Sequence, residues 1–277
     1  MTINCLGTLV DLSSPKVMGI LNVTPNSFYD GGKYADEKSM LLQVEKMLTE
    51  GAAFIDIGAY SSKPSAEFVT EQEETQRLLP IIKSVLQHFP ETLISVDTFR
   101  ANVAKAAIEN GACIINDIAA GGLDDNMMET VAQLQVPYIM MHMKGNPQTM
   151  QSLAQYDNVT KEVLFYFSEK VSQARRLGIN DLIIDPGFGF AKTLEQNFEI
   201  MNNLELFQML DLPILVGISR KSMIYKTLNT SAEFALNGTS VLNTIALQKG
   251  STILRVHDVK EAVECVNLCL QLNYKLY

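Results

Sequence analysis

KVMGILN at residues 16–22 and FIDIGAYS at 54–61 begin a series of eight short apolar runs that decides the fold of this chain. The other six are LISVDT (93–98), CIINDI (113–118), PYIMMH (137–142), LIIDP (182–186), PILVGIS (213–219) and ILRVH (253–257). Segments of helical periodicity separate these runs, and strands that alternate with helices are typical of an α/β protein with a parallel sheet. Eight such units in about 250 residues favour a closed (β/α)8 barrel of the TIM type over an open, doubly wound sheet.

The segments between the strands carry recognisable helix signals. Thr70 and Glu73 have the spacing of a capping box, which predicts a helix over 71–87. A glycine follows each of four helical segments, as expected for helix ends: Gly51, Gly111, Gly178 and Gly250. No linker divides the chain, so residues 1–277 are predicted to form one domain, with 1–15 as a short cover at the bottom of the barrel.

Two long loops follow the first two strands. They cover about residues 24–36 and 61–70 and are rich in Gly, Pro, Asn and Ser. Both come directly after strands that end in polar residues, where mobile loops often close over an active site. We therefore expect these loops to act as lids, although surface connections of no function remain the alternative.

Composition excludes several classes of function. The 277 residues carry a net charge of −9 and no run of Lys or Arg, so no nucleic-acid partner is expected. No apolar run approaches the length of a membrane span, and no signal peptide is recognisable, so no membrane association is expected. The four cysteines lack zinc-like spacing and are expected to be free thiols, which favours a cytoplasmic protein.

Polar residues end nearly every predicted strand. In a barrel of parallel strands, the carboxyl ends lie on one rim, which is where such barrels bind their ligands. The residues that would converge there are Asn22, Ser61, Asp97, Asn116, His142, Asp185, Ser219 and His257.

One side of this rim is acidic. Asp97, Asn116 and Asp185 lie at the ends of three nearby strands. A carboxylate that faces an N–C–NH₂ edge makes the paired, charge-assisted contact used for guanine-like rings. This favours recognition of a polar heterocycle. Ion pairs are the alternative for either acid, and Asp97 could instead cap the helix that follows it. Asp56 lies within its strand and could point inward or outward.

The other side of the rim is basic. Lys221, Arg255 and His257 lie at the ends of the last two strands, together with Ser219 and Ser222. Barrels commonly bind phosphate at this position. The alternative is that Lys221 and Arg255 only pair with nearby acids. Asn22 supplies a neutral oxygen with which Mg²⁺ and a diphosphate could be held.

One glycine-rich stretch, GFGFAKT at 187–193, lacks the spacing of a phosphate-binding P-loop. Gly187 and Gly189 more simply permit a tight turn after Asp185. That turn would present Phe190 and Lys192 over the site.

Eight ordered motifs resemble those of the dihydropteroate synthase family over essentially the whole chain. They are MGILNVTPNSFYDGG (18–32), DIGAYSSKPSAE (56–67), SVDTFR (95–100), INDI (115–118), MHMKGNPQTMQ (141–151), DPGFGFAKT (185–193), GISRKS (217–222) and LRVHDV (254–259). The resemblance implies a pterin-binding (β/α)8 barrel that is usually a homodimer and is the target of sulfonamide drugs. It also implies a transferase of folate biosynthesis that joins 6-hydroxymethyl-7,8-dihydropterin diphosphate to p-aminobenzoate with release of pyrophosphate.

Roles for individual residues follow from the same resemblance. The pterin would be held by Asp97, Asn116, Asp185 and Lys221, with Met140 and Gly217 lining its pocket. The diphosphate would contact Asn22, Ser62, Lys63, Arg255 and His257, and Asn22 would bind Mg²⁺. The p-aminobenzoate site would be bordered by Phe28, Ser62, Lys63, Pro64, Phe190, Ser219 and Lys221. The residues expected to act in catalysis are Asp97, Lys221, Arg255 and His257, whereas His142 is implied to be structural.

The second loop departs from the family pattern Ser-Thr-Arg-Pro-Gly. Here Ser62, Lys63 and Ser65 replace the Thr, the Arg and the Gly. Lys keeps the charge of Arg but loses its planar fork, which predicts a weaker grip on diphosphate and altered sulfonamide sensitivity. Two rival hypotheses remain: a methyltetrahydrofolate methyltransferase on a similar barrel, and a non-catalytic paralogue that binds pterin or a partner protein.

Overall fold

The computed structural model describes residues 1–23, 33–60 and 69–272, with the helical backbone but not the side chains of 33–36. The chain begins with an antiparallel hairpin of strands β1 (Thr2–Cys5) and β2 (Thr8–Asp11). Eight further strands follow, and they are β3 (Lys16–Asn22), β4 (Phe54–Gly58), β5 (Ile94–Asp97), β6 (Ile114–Asp117), β7 (Tyr138–Met141), β8 (Leu182–Asp185), β9 (Leu215–Val216) and β10 (Ile253–Val256).

These eight strands form one parallel sheet in the order β8-β7-β6-β5-β4-β3-β10-β9. An isolated parallel bridge between Ile184 and Ile214 joins the two outer strands of this order. The sheet is therefore a nearly closed barrel with helices between its strands, and the predicted (β/α)8 fold is confirmed.

Helices follow the strands in regular alternation. In the described chain they are α1 (Lys33–Thr49), α2 (Glu71–His88), α3 (Ala101–Glu109), α4 (Met127–Leu134), α5 (Val159–Arg176), α6 (Leu194–Asn202), α7 (Ser222–Thr227), α8 (Leu236–Gln248) and α9 (Val259–Gln271). The capping box of Thr70 and Glu73 is present at the start of α2. All four glycines predicted to end helices have positive φ, between 85° and 100°. These conformations suit glycine because it has no Cβ.

Strand alternation divides the core into two layers. Ile55 and Ile57 of β4 belong to the larger cluster, in which the sheet packs against the helices. Phe54 belongs to a second cluster inside the barrel, with one inward residue from most of the other strands. Because side chains alternate along a strand, Asp56 and Gly58 share the inward face with Phe54.

The hairpin lies at the amino-terminal end of the barrel. Its residues Ile3 and Cys5 pack into the inner cluster with Phe54, and the amide of Asn4 donates to Asp181 just before β8. The carboxyl-terminal rim is therefore the end of the barrel left for ligands. Within the ranges described above, no helix is both long and apolar enough to cross a membrane.

Candidate active site

Carboxylates and an amide occupy the inward positions at the upper ends of four strands. Strand alternation places Asp56 on β4, Asp97 on β5, Asn116 on β6 and Asp185 on β8 above the apolar inner cluster. The inward face of each strand changes from apolar to polar within two to four residues. The barrel interior therefore provides a dry floor under a ring of hydrogen-bonding groups.

Arg255 of β10 lies at the centre of this ring. Its Nε donates to Oδ2 of Asp56 at 2.6 Å, and its Nη2 donates to Oδ2 of Asp97 at 2.7 Å. Asn116 also donates to Oδ2 of Asp56, at 3.1 Å. Arg255 therefore pairs with two acids, through Nε and Nη2 of its guanidinium. About a fifth of its side chain, 20%, remains exposed toward the rim.

Asp56 is a site residue whose direction the sequence leaves open. It is fully buried, and its Oδ1 has no hydrogen-bond partner. A usable signal was present in the sequence: Ile55 and Ile57 must face the helices, so the intervening Asp must face the barrel interior. An inward, fully buried carboxylate is stable only with a cation beside it, and Arg255 is that cation.

The charge state of Asp97 depends on this crowded arrangement. Burial raises the pKa of its carboxyl group to about 7 against the opposing effect of Arg255, and the neighbouring Asp56 carboxylate adds to the rise. The Asp97 side chain does not cap α3. The N-cap residue of this helix is Arg100, whose side chain accepts no cap hydrogen bond, and the amide of Ala101 donates to Asp124 at 2.8 Å.

Asp185 ends β8, where the chain turns sharply. Its Oδ1 accepts a hydrogen bond from the amide of Gly187 at 2.8 Å. Burial raises the pKa of this carboxyl group, whereas the Lys221 ammonium lowers it. Gly217 lies across from it: a methyl group added there would be 4.0 Å from Oδ2 of Asp185 and 3.9 Å from Cβ of Arg255. Gly217 therefore lines the space between these two side chains.

Lys221 immediately precedes α7 and reaches back over the site. Its ammonium donates to the carbonyl of Phe188 and lies 4.7 Å from the centre of the Phe190 ring. Burial lowers the pKa of Lys221 to about 8, and Asp185 acts in the opposite direction. Phe190 is half-buried beside it. Lys221 thus connects the acidic side of the site with an aromatic wall.

Ser219 and His257 lie together at the ends of the last two strands. The Ser219 hydroxyl is 3.1 Å from Nδ1 of His257 and also accepts from its backbone amide at 3.1 Å. The ring of His257 is exposed, whereas Ser219 is buried. The serine therefore orients an imidazole that is open to a ligand.

Asn22 is the exposed last residue of β3 and pairs with Gly58 of β4. A methyl group added at Gly58 would be 3.2 Å from Cβ of Asp97, so Asn22 borders the acidic side of the site. In the described chain, no three His, Cys, Asp or Glu residues form a ready-made metal site. A single exposed amide oxygen suits Mg²⁺, which keeps several waters and binds largely through substrate phosphates.

The sequence expectation for Met140 was wrong. Met140 pairs with Ile184 and is buried in the outer cluster between sheet and helices. Met141, one residue on, pairs with Asp185 and belongs to a rim cluster that Phe190 packs against. A shift of one residue along a strand exchanges its faces, and Met141 is therefore the methionine on the side of the site.

Lys192 was expected over the site and instead lies beneath the turn that follows β8. Only 4% of it is exposed, and its ammonium is 3.0 Å from Nδ1 of His142. His142 is likewise buried, in agreement with a structural role.

The second long loop is anchored at both ends by Arg100. This side chain pairs with the buried Glu74 of α2 and donates to the carbonyl of Val69 at 2.7 Å. Its guanidinium also lies 5.5 Å from the centre of the Tyr60 ring. The site residues predicted within the two loops, Phe28, Ser62, Lys63 and Pro64, lie outside the described residues.

Comparisons with known proteins agree with this geometry. A sequence family described as pterin binding enzyme matches residues 18–257. Dihydropteroate synthase of Escherichia coli strain K12 is 43% identical over 264 residues, which cover 95% of this chain and 93% of that protein.

Solved structures give the same relationship in three dimensions. A Yersinia pestis dihydropteroate synthase crystallised with a sulfonamide drug has a TM-score of 0.92 and 38% identity, with 99% of both chains covered. A Xanthomonas albilineans dihydropteroate synthase in complex with 7,8-dihydropteroate has a TM-score of 0.87 and 33% identity, again with 99% of both chains covered. The chain therefore belongs to the dihydropteroate synthase family of pterin-binding enzymes, which are transferases.

Proposed function

We propose that the chain condenses 6-hydroxymethyl-7,8-dihydropterin diphosphate with p-aminobenzoate, producing 7,8-dihydropteroate and pyrophosphate for folate biosynthesis. The observation that carries this proposal is the set of buried acids and Asn116 around Arg255, beside Lys221, at the carboxyl end of the barrel. A heterocycle with both hydrogen-bond donors and acceptors matches this set of residues. Membership of the dihydropteroate synthase family indicates that this heterocycle is a pterin.

The pterin would lie between the acidic residues and the aromatic wall. Its amino-pyrimidine edge donates hydrogen bonds, which suit the Asp185 carboxylate, and its remaining ring nitrogens suit Asn116 and Asp97. Lys221 would donate to the acceptor side of the same ring. Gly217 leaves room for the flat ring because any side chain there would project between Asp185 and Arg255.

The diphosphate would lie toward the exposed side of the rim. Asp56 accepts from Nε of Arg255 and Asp97 accepts from Nη2, and Nη1 would donate to a phosphate oxygen. His257 would donate from its exposed ring, and Asn22 would hold Mg²⁺ with the diphosphate. A bound Mg²⁺ ion supplies positive charge for the departing pyrophosphate.

The reaction would begin with cleavage of the C–O bond to the diphosphate. The electron pair leaves with pyrophosphate, stabilised by Arg255 and His257, and the remaining pterin cation lies beside the Asp97 carboxylate. The amine of p-aminobenzoate then forms the new C–N bond and loses a proton. No protein nucleophile is needed, so these residues act by position and charge.

The p-aminobenzoate would approach along Phe190 and Ser219. The loop residues Phe28, Ser62, Lys63 and Pro64 would complete this side and exclude water, which competes for the cation. A Xanthomonas albilineans relative was solved with 4-aminobenzoic acid, and the Yersinia pestis relative was solved with a sulfonamide. Sulfonamides are therefore proposed as inhibitors of this chain. We also propose that it acts in the cytoplasm as a homodimer.

The test is pyrophosphate release with both substrates and Mg²⁺, with dihydropteroate identified by chromatography. We expect pyrophosphate and dihydropteroate in equal amounts, and a loss of rate when Mg²⁺ is chelated. The Asp97→Ala variant is the matched control, because it should lose orders of magnitude in turnover. Absence of pyrophosphate release by the wild-type protein would contradict the proposal, and methyl transfer from methyltetrahydrofolate would then support the methyltransferase alternative.

A further inference from the structure

We infer that Lys192 and His142 are positioning residues, which together fix the turn of residues 186–191 and so set the p-aminobenzoate side of the site. This turn, called the β8 turn below, connects Asp185 with the helix α6. The inference rests on the proposed function and extends it to two buried residues that contact no substrate.

Lys192 makes three hydrogen bonds of equal length. Its Nζ lies 3.0 Å from the carbonyl of Gly187, 3.0 Å from the carbonyl of Phe190 and 3.0 Å from Nδ1 of His142. An ammonium has three N–H donors, so this set saturates it. Two of the partners lie near the two ends of the β8 turn, and the third lies at the end of β7. The side chain therefore ties the turn to the neighbouring strand.

His142 is the third partner. Burial lowers the pKa of Lys192 to about 7, so near neutral pH the bond to Nδ1 forms with either species of Lys192: an ammonium donates to Nδ1, and a neutral amine accepts from its N–H. Burial lowers the pKa of His142 well below its ordinary value, and the Lys192 charge lowers it further. The ring is held edge-on against Tyr166, with 4.8 Å between ring centres. This contact helps to keep the imidazole beside Lys192.

The β8 turn needs such support because its backbone is unusual. Gly187, Gly189 and Ala191 all have positive φ, of 72°, 81° and 47°. Ala191 carries a Cβ, so this conformation costs ~1 kcal/mol or more. A methyl group at Gly187 would be 2.2 Å from the carbonyl oxygen of His142, which shows how closely the turn lies against β7.

Two contacts carry the position of the turn into the site. The carbonyl of Phe188 accepts from Lys221, and the ring of Phe190 lies under the same ammonium. Without Lys192, the carbonyl of Phe190 would lose this donor and the carbonyl of Gly187 would keep only the Phe190 amide, so the turn would move to satisfy them. Asp97 and Asn116 stand on strands and would stay in place, so the pterin would be affected only through Lys221 and through the contact of Asp185 with the Gly187 amide. The KM for p-aminobenzoate should therefore rise more than the Kd for the pterin diphosphate.

Kinetics of Lys192→Met and His142→Leu test the inference. We expect each to raise the KM for p-aminobenzoate at least tenfold, while the Kd for the pterin diphosphate, measured alone by calorimetry, rises by a smaller factor. His142→Asn keeps an acceptor near the position of Nδ1 and should recover most of the wild-type KM. The control is Lys161→Met, which removes an exposed lysine in the first turn of α5.

A second measurement is independent of activity. The chain contains no tryptophan, so Phe190→Trp places a single reporter on the β8 turn. In this background Lys192→Met should shift the indole emission to longer wavelength and increase its quenching by iodide, whereas Lys161→Met should not. If Lys192→Met does not fold, the comparison of His142→Leu with His142→Asn decides the same question.

Unchanged emission together with an unchanged KM for p-aminobenzoate would overturn the inference. An equal rise in the KM for p-aminobenzoate and in the Kd for the pterin diphosphate, without recovery in His142→Asn, would also overturn the inference. That pattern indicates a general structural role. A wild-type protein that forms no dihydropteroate would instead contradict the proposed function, and the emission measurement would still decide the role of Lys192.

Discussion

Two carboxylates share one guanidinium at the centre of the site. Arg255 satisfies Oδ2 of both Asp56 and Asp97, and Asp56 is the more deeply buried of the two acids. One guanidinium cannot neutralise two carboxylates, and burial together with the Asp56 charge raises the pKa of Asp97 to about 7, near physiological pH. Below this pH Asp97 is protonated and cannot balance a cation, and above it the carboxylate is available.

The pH dependence of the Asp97→Asn variant tests this assignment. For the wild-type protein we expect log kcat/KM for the pterin diphosphate to rise with pH and to level off above about 7, because the raised pKa keeps the acid neutral at lower pH. Asn is neutral throughout, so the limb near pH 7 should vanish and the plateau should fall on the order of 100-fold. A limb of the same position and slope in both proteins would assign it to the substrate or to another residue.

Individual residues were predictable where chemistry and strand alternation agreed. Asp97, Asn116 and Asp185 were found because a polar residue at the end of a buried apolar strand must have a ligand or an ion-pair partner to be stable there. Met140 was misplaced because a difference of one residue reverses the face of a strand. The burial of the Lys192 side chain could not be predicted, since it depends on hydrogen-bond partners that only the folded β8 turn brings together.

Arg100 shows how elements are joined beneath the second loop. It contacts the chain before the loop at Tyr60 and after it at Val69, and it neutralises Glu74 within α2. Burial raises the pKa of Glu74, and Arg100 opposes this rise. The ends of the loop are therefore fixed relative to β4 and α2.

Removing this anchor should reduce both stability and binding. Arg100→Met leaves Glu74 buried without its cation, and we expect a loss of ~3–5 kcal/mol in the free energy of unfolding. The melting temperature should fall by about 10 °C, and the KM for p-aminobenzoate should rise. The double variant Arg100→Met with Glu74→Gln should regain part of the stability but not the KM. Lys105→Met, an exposed substitution on α3, is the control.

Calorimetry gives the melting temperature and steady-state kinetics give the KM for the wild-type protein, Arg100→Met, the double variant and Lys105→Met. A double variant no more stable than Arg100→Met would show that the buried charge is not the cause. An unchanged KM in both would show that the ends of the loop do not affect the site.

The sequence predicted the order of elements better than their lengths. Helix starts and ends were marked by Thr70 and by the glycines, and these signals are local. The run 213–219 was expected to be a full strand, yet only Leu215 and Val216 pair as one. Pro213 has no amide to donate, which removes a ladder bond at the start, and this shortening depends on neighbours that the sequence alone does not identify.

At the scale of the whole molecule, exposed apolar side chains on α8 and α9 support the proposed homodimer. Val241 and Leu268 are 51% and 68% exposed, and α8 packs against α9. Large apolar side chains on adjacent helices make a surface that a second copy could cover.

Leu268→Lys tests this surface. A charge at the centre of an apolar interface should convert the dimer to monomer, as measured by sedimentation at micromolar concentration. Leu9→Lys is the matched control, because Leu9 is 71% exposed on the hairpin at the bottom of the barrel. A dimer that survives Leu268→Lys, or a wild-type monomer, would place the association elsewhere or exclude it.

The barrel is joined least firmly where β8 meets β9. In the described chain these strands share only the bridge between Ile184 and Ile214, and β9 has two residues. Asp185 stands on one side of this join, and Gly217 and Lys221 stand on the other. A pterin held by both sides would span the join and add bonds where the backbone supplies few. Ligand affinity and closure of the barrel would then be coupled quantities, so a substitution that loosens the join would weaken binding without touching the ligand.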